Sequence, residues 1–325
     1  MNEVIKNRVI GVDISIDWTS YAIVDVRGNI IARDGFNTQD YTNVNDYISA
    51  LSEKVVMLAE LNGGYENIRS MGISAPSGNY KTGRIENAPN LHWKGVIPMA
   101  NMLRDRLGIA VALANDAHVA ALGEHAFGAA HGMNNFIIMT MGHGIGSCVF
   151  SNGNVHLGAD GFAGEVGHTC AVYHGRTCGC GKQGCLEAYC GAKGIVTTAM
   201  EMMEASSEDT MMRSVKNLTP KIIYLCCEQG DKMAIEVFRK TGHILGLTLA
   251  GYASILDPEA IIFTGGIARA GHWLLDPVNE EFEKHVFHNT RGQVKLLPSA
   301  LDDHERDVLG ASALAWGIKE YSLFK

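Results

Sequence analysis

The chain has 325 residues, of which 19% are charged and 46% are hydrophobic. This length and composition predict a folded globular protein of roughly two domains, and they exclude wholesale disorder and a small disulfide-stapled scaffold. The formal net charge is −8, so non-specific binding to nucleic acid or to an anionic membrane is not expected. No apolar stretch has the length of a membrane span and the first residues lack the apolar core of a secretory signal, which predicts a cytoplasmic protein.

The first part of the chain alternates between strand and helix patterns. Short apolar and β-branched runs around a turn at residues 27–29 predict a three-stranded antiparallel meander, and apolar residues at helical spacing follow it. The predicted strands are 9–14, 18–26, 30–32, 68–74 and 110–114. The predicted helices are 44–61, 98–107 and 117–127.

The meander pattern recurs in the second part of the chain. The predicted strands there are 136–140, 145–151, 155–157, 260–264 and 294–297, and the predicted helices are 192–204, 231–256 and 308–321. A duplicated unit of strands and helices predicts an α/β protein of two similar lobes with a cleft between them. We place an N-terminal lobe at residues 1–115 and a larger C-terminal lobe at 116–307, and we expect the last helix, within 308–325, to return to the first lobe.

A short glycine-rich segment concentrates metal-ligand side chains. Eight cysteines in this chain are too few for a disulfide framework, but three of them crowd together with one histidine, as His168, Cys178, Cys180 and Cys185. A Cys₃His set predicts a closed tetrahedral zinc site whose role is structural. The alternatives are a loop of free thiols and a different ligand set that draws on Cys170, His174 or Cys190.

The same segment carries a recognisable signature. Gly-Glu-Val-Gly-His at 164–168, followed by Cys178-x-Cys180-Gly-x-x-Gly-Cys185-x-Glu187, resembles the signature of the ROK family of bacterial sugar kinases and sugar-responsive repressors. Further similarity lies at Ala-Pro-Asn (88–90), Asn-Asp-Ala (115–117) and Gly-Gly-Ile (265–267), and the pattern around 75–90 is most like the glucokinase-type members. The resemblance implies the actin-like, duplicated ribonuclease-H-like fold with an inserted zinc loop at 168–187.

The resemblance also implies a sugar site and a catalytic base. It assigns the base to Asp116 and the sugar contacts to Asn90, Asn115, Asp116, Glu165, His168 and Glu187. Carboxylates and amides are the groups that a neutral, hydroxyl-rich sugar requires, and a carboxylate is suited to take the proton of an attacking hydroxyl. Taken alone, Asp116 is also interpretable as the N-cap of the helix 117–127, the two asparagines as turn residues and the two glutamates as solvated acids.

The nucleotide half of the predicted site departs from the family pattern. The resemblance assigns cofactor binding to two phosphate loops and to glycines near the adenosine, namely Asp13, Ser15, Asp17, Gly142, His143, Gly144, Gly265, Gly266 and Gly310. The first loop usually reads Asp-x-Gly-Gly-Thr, but here Asp17 brings a negative charge towards the phosphates, with Ser15 and Thr19 as substitute hydroxyls. In the second loop His143 replaces the usual threonine of Gly-Thr-Gly.

These observations predict an ATP-dependent kinase that phosphorylates the 6-hydroxyl of glucose or a related hexose, with Mg²⁺ accompanying ATP, a structural zinc and a homodimeric assembly. The alternative is a sugar-binding sensor or pseudokinase that keeps the sugar site and has impaired phosphate loops. Only eight residues precede the first predicted strand, so we expect no DNA-binding domain and no nucleic acid partner.

Overall fold

The structure is a computed structural model that describes residues 6–88, 91–302 and 305–319. Within these ranges the chain forms two compact units, each containing one five-stranded sheet. The first unit holds the described residues up to Gly132, the segment Leu157–Phe162 and the described residues from Ala300 onward. The second unit holds Met133–His156 and Ala163–Ser299. No helix in the described part of the chain is both long and apolar enough to cross a membrane.

Strands and helices alternate along the chain, as the sequence predicts. The strands are β1 (Arg8–Ile14), β2 (Trp18–Asp25), β3 (Ile30–Asn37), β4 (Ile68–Ser74), β5 (Gly78–Asn79), β6 (Arg84–Glu86), β7 (Val96–Ile97), β8 (Ala110–Ala114), β9 (Phe136–Met141), β10 (Ile145–Ser151), β11 (Asn154–Val155), β12 (Ala260–Thr264) and β13 (Lys295–Pro298). The helices are α1 (Val44–Leu61), α2 (Met99–Leu107), α3 (Asp116–Phe127), α4 (Glu187–Cys190), α5 (Ala192–Ala205), α6 (Pro220–Glu228), α7 (Lys232–Leu256), α8 (His272–His285) and α9 (Arg306–Trp316).

The two large sheets have the same strand order. In the first unit the order is β3-β2-β1-β4-β8, and in the second it is β11-β10-β9-β12-β13. Each begins with an antiparallel meander whose first strand then pairs in parallel with a later strand, β4 or β12. The predicted α/β fold with a duplicated meander is therefore confirmed. A small sheet, β5-β6-β7, and the helices α6 and α8 were not predicted.

The last described helix, α9, packs on the first unit through glycine positions on the sheet. A Cβ atom on Gly11 would lie 2.1 Å from the carbonyl oxygen of Val308, and one on Gly72 would lie 2.0 Å from that of Ala311. A side chain at either position would collide with the helix backbone, so both glycines are needed for this close approach. The part of the predicted helix 308–321 from residue 320 onward lies outside the described residues.

Helix α3 also belongs to the first unit, because it packs against α9. The backbones approach so closely that a Cβ on Gly310 would lie 2.4 Å from the carbonyl oxygen of Val119. The division of the chain therefore falls at Gly132 and not at the predicted residue 115, and Leu157–Phe162 and the described residues 300–307 join the first unit as well. Sequence patterns locate helices, but which unit a helix joins is decided by this tertiary packing.

Candidate active site

The predicted metal ligands lie together in the second unit. The ligand atoms of His168, Cys178, Cys180 and Cys185 are all within 4.8 Å of one another. The Sγ atoms of Cys180 and Cys185 are 3.7 Å apart, and Cys178 Sγ is 3.8 Å from His168 Nδ1. Zinc–sulfur bonds of about 2.3 Å in a tetrahedron place the sulfur atoms about 3.8 Å apart, so the cluster has the size that zinc requires. Cys170, His174 and Cys190 are not part of this group.

Contacts of two residues, Gly167 and Arg176, fix the segments that carry the ligands. A Cβ on Gly167 would lie 2.2 Å from the carbonyl oxygen of Ile145, so the residue before His168 lies directly against β10. Arg176, two residues before Cys178, donates hydrogen bonds to the carbonyl oxygens of Ala188 (3.2 Å) and Gly194 (3.0 Å). Its guanidinium also lies over the ring of Tyr189, 4.6 Å from the ring centroid. The cluster is thus held on a sheet strand and on the α4–α5 segment.

The two predicted sugar-binding glutamates occupy different positions near the cluster. Glu165 is exposed and precedes the short 3₁₀ turn Val166–His168. Glu187 is the first residue of α4; its Oε1 lies 3.6 Å from Cys178 Sγ, and its Oε2 accepts a hydrogen bond of 3.0 Å from the Ile145 N–H. The structure therefore brings Glu187 directly to the metal cluster and to β10.

A cavity of about 650 Å³ lies at the carboxyl ends of the parallel strands β9 and β12. This edge of a parallel sheet is where ligands bind in open α/β folds, and the volume suits a small-molecule ligand. The predicted residues Gly142, His143 and Gly266 contribute to its wall. The remaining lining residues are Ala192, Thr219, Pro220, Lys221, Tyr224, Phe238, Ile267, Arg269 and Ala270.

The two glycines that follow β12, Gly265 and Gly266, have different structural roles. Gly265 has φ +92°, and a Cβ there would lie 2.5 Å from the carbonyl oxygen of Met141, so this glycine allows the chain to turn against the end of β9. Gly266 has open space where a side chain would stand. Two helices, α5 and α6, begin at the cavity wall, and helix N-termini attract anions.

The sequence patterns did not identify the far wall of the cavity. Its side chains come from α6 and α7, among them Lys221, Tyr224 and Phe238. Because these residues are far in sequence from the glycine loops, no local motif associates them. A basic residue directly after the Pro220 that begins α6 is the one local signal for an anion site, and it is weak.

In the first unit, the predicted base Asp116 belongs to a group of three carboxylates. Partial desolvation of the carboxylate, together with the charge of Asp307, raises the pKa of Asp116 although the residue is exposed, while a hydrogen bond from the Ala117 N–H acts in the opposite direction. Burial and Asp307 also raise the pKa of Asp13 to about 7. Asp116 keeps contact with solvent, so it combines accessibility with raised proton affinity. Asp307, at the second position of α9, was not identified from the sequence.

The interpretation of Asp116 as a helix N-cap is wrong. The N-cap is Asn115, whose Oδ1 accepts a hydrogen bond of 2.8 Å from the His118 N–H. Asp116 is the first residue of α3, and its carboxylate accepts a hydrogen bond from the neighbouring Ala117 N–H at 2.9 Å. The side chain of Asn115 is therefore used by the helix. Asn90, the other predicted amide, lies outside the described residues.

The first predicted phosphate loop is a tight hairpin between β1 and β2. The Ser15 N–H donates to the carbonyl oxygen of Trp18 at 3.0 Å, and the Ser15 hydroxyl donates to Asp13 at 2.9 Å. The Asp17 carboxylate accepts a hydrogen bond from the Gln39 amide. Thr19 is fully buried and hydrogen-bonds to Thr38 and Tyr47, so it is not available as a substitute hydroxyl for phosphate.

Gly310 is buried at the crossing of α3 and α9. The close approach to Val119 there requires a residue without a side chain, so packing accounts for this glycine without any contact to a nucleotide.

Comparison with known proteins gives a consistent identification. The family model described as "ROK family" matches residues 9–318. The glucokinase of Thermotoga maritima is 30% identical over 320 residues, which is 97% of this chain and 98% of that protein. The glucokinase of Halalkalibacterium halodurans is 32% identical over 289 residues, covering 85% of this chain and 86% of that protein.

A solved structure extends the comparison to the fold. The ROK family glucokinase from Streptomyces griseus, solved in complex with glucose and AMPPNP, has 30% sequence identity and a TM-score of 0.77. The match covers 95% of this chain and 99% of that one. Because the family model and the relatives span nearly the whole chain, the identification does not depend on the zinc-loop signature alone. The chain belongs to the ROK family.

Proposed function

We propose that this protein transfers the γ-phosphoryl group of Mg-ATP to the 6-hydroxyl of glucose or a related hexose. The observation that carries the proposal is a pair of sites in one unit of a ROK family chain. One is the Cys₃His cluster with Glu187 beside it, and the other is a nucleotide-sized cavity at the ends of β9 and β12. The relatives named glucokinases support a hexose as substrate.

Asp116 acts as the general base. It accepts the proton of the sugar 6-hydroxyl as that oxygen forms a bond to the γ-phosphorus, and the bond from phosphorus to the bridging oxygen breaks to release ADP. The raised pKa of Asp116 favours this role, because a carboxylate with greater proton affinity is a stronger base at neutral pH. Solvent contact at this side chain is consistent with access for a substrate hydroxyl.

The sugar is held by Asn90, Asn115, Glu165, His168 and Glu187. His168 directs Nδ1 towards Cys178, which leaves Nε2 for a sugar hydroxyl. A metal with these four ligands has a filled coordination shell, so it supplies a rigid anchor for the His168 ring and no position for a reacting group. We propose zinc because three thiolates and one imidazole at this spacing match its preferences.

We assign the nucleotide to the cavity of the second unit. Gly142, His143 and Gly144 face the phosphates, Gly265 and Gly266 lie beside the adenosine, and Lys221 and Arg269 add positive charge. In the hairpin, Asp13, Ser15 and Asp17 present carboxylates and a hydroxyl to the hydrated Mg²⁺. Desolvation and the charge of Asp307 raise the pKa values of Asp13 and Asp116, and a cation beside them would relieve this repulsion.

A sugar sensor without efficient phosphoryl transfer is the second candidate. It is favoured by the hairpin alone: the Asp17 carboxylate lies where family members have a neutral residue, and Thr19 is buried and occupied by other hydrogen bonds. Two like charges about 4 Å apart cost on the order of 1 to 4 kcal/mol, which weakens nucleotide binding unless Mg²⁺ lies between them.

A coupled ADP-release assay separates the two candidates. Glucose, mannose, allose, fructose, N-acetylglucosamine and N-acetylmannosamine are each tested with millimolar Mg-ATP. The kinase proposal expects turnover with at least one of them, a loss of about 10²- to 10⁴-fold in kcat for Asp116→Asn, and unchanged kcat for the exposed control Asp46→Asn. Sugar binding by calorimetry without turnover for any sugar supports the sensor and contradicts the kinase.

We propose further that the protein is a cytoplasmic homodimer. The cytoplasm supplies ATP and keeps the clustered thiols reduced. Helix α7 exposes two large apolar side chains, with Leu247 exposed by 47% and Ile255 by 77%, and such side chains support an interface. Light scattering coupled to gel filtration tests the assembly: a mass of twice 35.1 kDa is expected, and a mass of one chain contradicts the dimer.

A further inference from the structure

The glycine loop, residues 142–146, comprises the turn after β9 and the first two residues of β10, and it depends on contacts from outside itself. Its internal backbone hydrogen bond runs from the Gly142 N–H to the carbonyl oxygen of Gly144, at 3.0 Å. Two further contacts reach it from the α4–α5 segment. The Ala192 N–H donates to the carbonyl oxygen of Gly142 at 3.0 Å, and the Ile145 N–H donates to Glu187 Oε2 at 3.0 Å. The α4–α5 segment therefore determines where both ends of the glycine loop lie.

The Glu187 carboxylate occupies the space beside Gly144. A Cβ atom on Gly144 would lie 2.3 Å from Glu187 Oε2. A Cβ at that distance would push the carboxylate away, so the position that Glu187 Oε2 occupies here requires a glycine at 144. The contact with Glu187 therefore explains why residue 144 is a glycine, independently of any direct approach of the phosphates to its backbone.

Glu187 also contacts the metal loop, which we define as residues 168–185. Its Oε1 lies 3.6 Å from Cys178 Sγ, and the next residue, Ala188, donates its N–H to the carbonyl oxygen of Cys185 at 3.0 Å. A metal-bound Cys178 is a thiolate without a proton to donate, so in the loaded protein it is the backbone next to Cys185 that fixes Glu187. Glu187 thus joins the metal loop, through its backbone, to the glycine loop, through its carboxylate.

We propose that Glu187 is a positioning residue that couples the metal cluster to the glycine loop, so that nucleotide binding depends on the bound metal. The proposal rests on the proposed function in one respect, namely that residues 142–146 contact the nucleotide phosphates. When the metal is lost, its loop no longer fixes Glu187, the Ile145 N–H loses its acceptor, and the glycine loop leaves the geometry that receives phosphate. A sugar contact by Glu187 is compatible with this role but does not require it.

The test measures binding of the non-hydrolysable nucleotide AMPPNP by calorimetry, with Mg²⁺ and without any sugar. The four samples are the wild type and Glu187→Ala, each zinc-loaded and each depleted by a chelator that is then removed. Loss of the metal and loss of the carboxylate are each expected to weaken binding about tenfold, because each deprives the loop of the same hydrogen bond. Their combination is expected to weaken binding no more than either alone.

Two outcomes overturn the coupling. One is independent effects that multiply to about a hundredfold in the doubly perturbed sample, and the other is an AMPPNP affinity that responds to neither change. The exposed acid Glu204 on α5 provides a control of equal charge: Glu204→Ala is expected to leave AMPPNP affinity within twofold of the wild type. Circular dichroism and the zinc content of each sample verify that the variants are folded and loaded.

A second cycle tests the contact itself. Gly144→Ala is expected to weaken AMPPNP binding about tenfold in the wild type, because the new methyl group displaces the Glu187 carboxylate. In the Glu187→Ala background the methyl group meets no carboxylate, so the same substitution is expected to cost less than twofold. Equal losses in the two backgrounds contradict the proposed contact.

The outcomes distinguish this inference from the proposed function. AMPPNP binding that responds to zinc and to Glu187 in a protein that phosphorylates no hexose supports the coupling and contradicts the kinase. Hexose phosphorylation by a protein whose AMPPNP affinity changes neither on loss of zinc nor on loss of Glu187 supports the kinase and contradicts the coupling. A zinc-loaded wild type that binds no AMPPNP overturns the coupling.

Discussion

Asp13→Asn is expected to remove a pH-dependent loss of stability from the first unit. Burial and the charge of Asp307 raise the pKa of Asp13 from 3.8 to about 7. A carboxyl group whose pKa is raised on folding stabilises the protein while it is protonated, and that stabilisation is lost as the pH rises through the folded-state pKa. The wild type should therefore lose stability between about pH 4 and pH 7, the unfolded-state and folded-state pKa values, and the variant, which stays neutral, should lose less.

The size of the effect follows from the shift. A pKa raised from 3.8 to about 7 corresponds to roughly 4 kcal/mol between the two protonation states, and the solvent contact that Asp13 retains reduces the expected change to about 2 kcal/mol. Urea unfolding followed by tryptophan fluorescence at pH 4, 5, 6 and 7, without Mg²⁺, gives the free energy of unfolding of wild type and variant. The difference, variant minus wild type, should rise by about 2 kcal/mol from pH 4 to pH 7.

Asp40→Asn, at an exposed position of the same unit, provides the matched control for removal of one negative charge. A difference between Asp13→Asn and the wild type that is the same at all four pH values would refute the reasoning, because it would mean that Asp13 has the same pKa in the folded and unfolded protein. A difference that falls with rising pH would contradict the sign of the shift.

Three further experiments test other parts of the structure. Gly167→Ala places a methyl group 2.2 Å from the Ile145 carbonyl oxygen and should displace His168. We expect a lower zinc content and sugar binding that is weakened at least tenfold by calorimetry, and unchanged values of both would contradict this packing. Gly72→Ala should lower the free energy of unfolding by about 3 kcal/mol because the new Cβ meets the α9 backbone, whereas Gly251→Ala, which faces open space on α7, should not lower it. The double substitution Asp17→Thr with His143→Thr should tighten ATP binding in a fluorescence titration, and an unchanged affinity would show that these two residues do not impair the phosphate loops.

The elements with strong patterns were predictable from the sequence. The meander strands and the helices α1, α3 and α7 combine long apolar runs or clear helical spacing with capping residues, as with Asp231 before α7. Helix α8 was missed because Pro277 interrupts its pattern, and α6 because it has only nine residues. The two-residue strands of the small sheet have no period that a sequence pattern can reveal.

The candidate site was predictable where its residues are close in sequence. The metal ligands share one short segment, so their spacing alone indicates the cluster. Asp307 joins the carboxylate group of the first unit, and the α6–α7 side chains join the cavity of the second, only through packing within each unit, and no local pattern marks them. Thr19 illustrates the opposite error: it was offered as a phosphate donor, but the fold buries its hydroxyl against Tyr47.

The central claim is that phosphate is transferred from ATP to a carbon-6 hydroxyl of a hexose. Phosphorus and proton NMR of zinc-loaded protein incubated with glucose and Mg-ATP test it most directly. The account predicts a new phosphomonoester signal coupled to the two protons on carbon 6, formed in equal amount with ADP and absent for Asp116→Asn. Signals of ADP and inorganic phosphate alone, or a phosphomonoester coupled to any other carbon position, would contradict it.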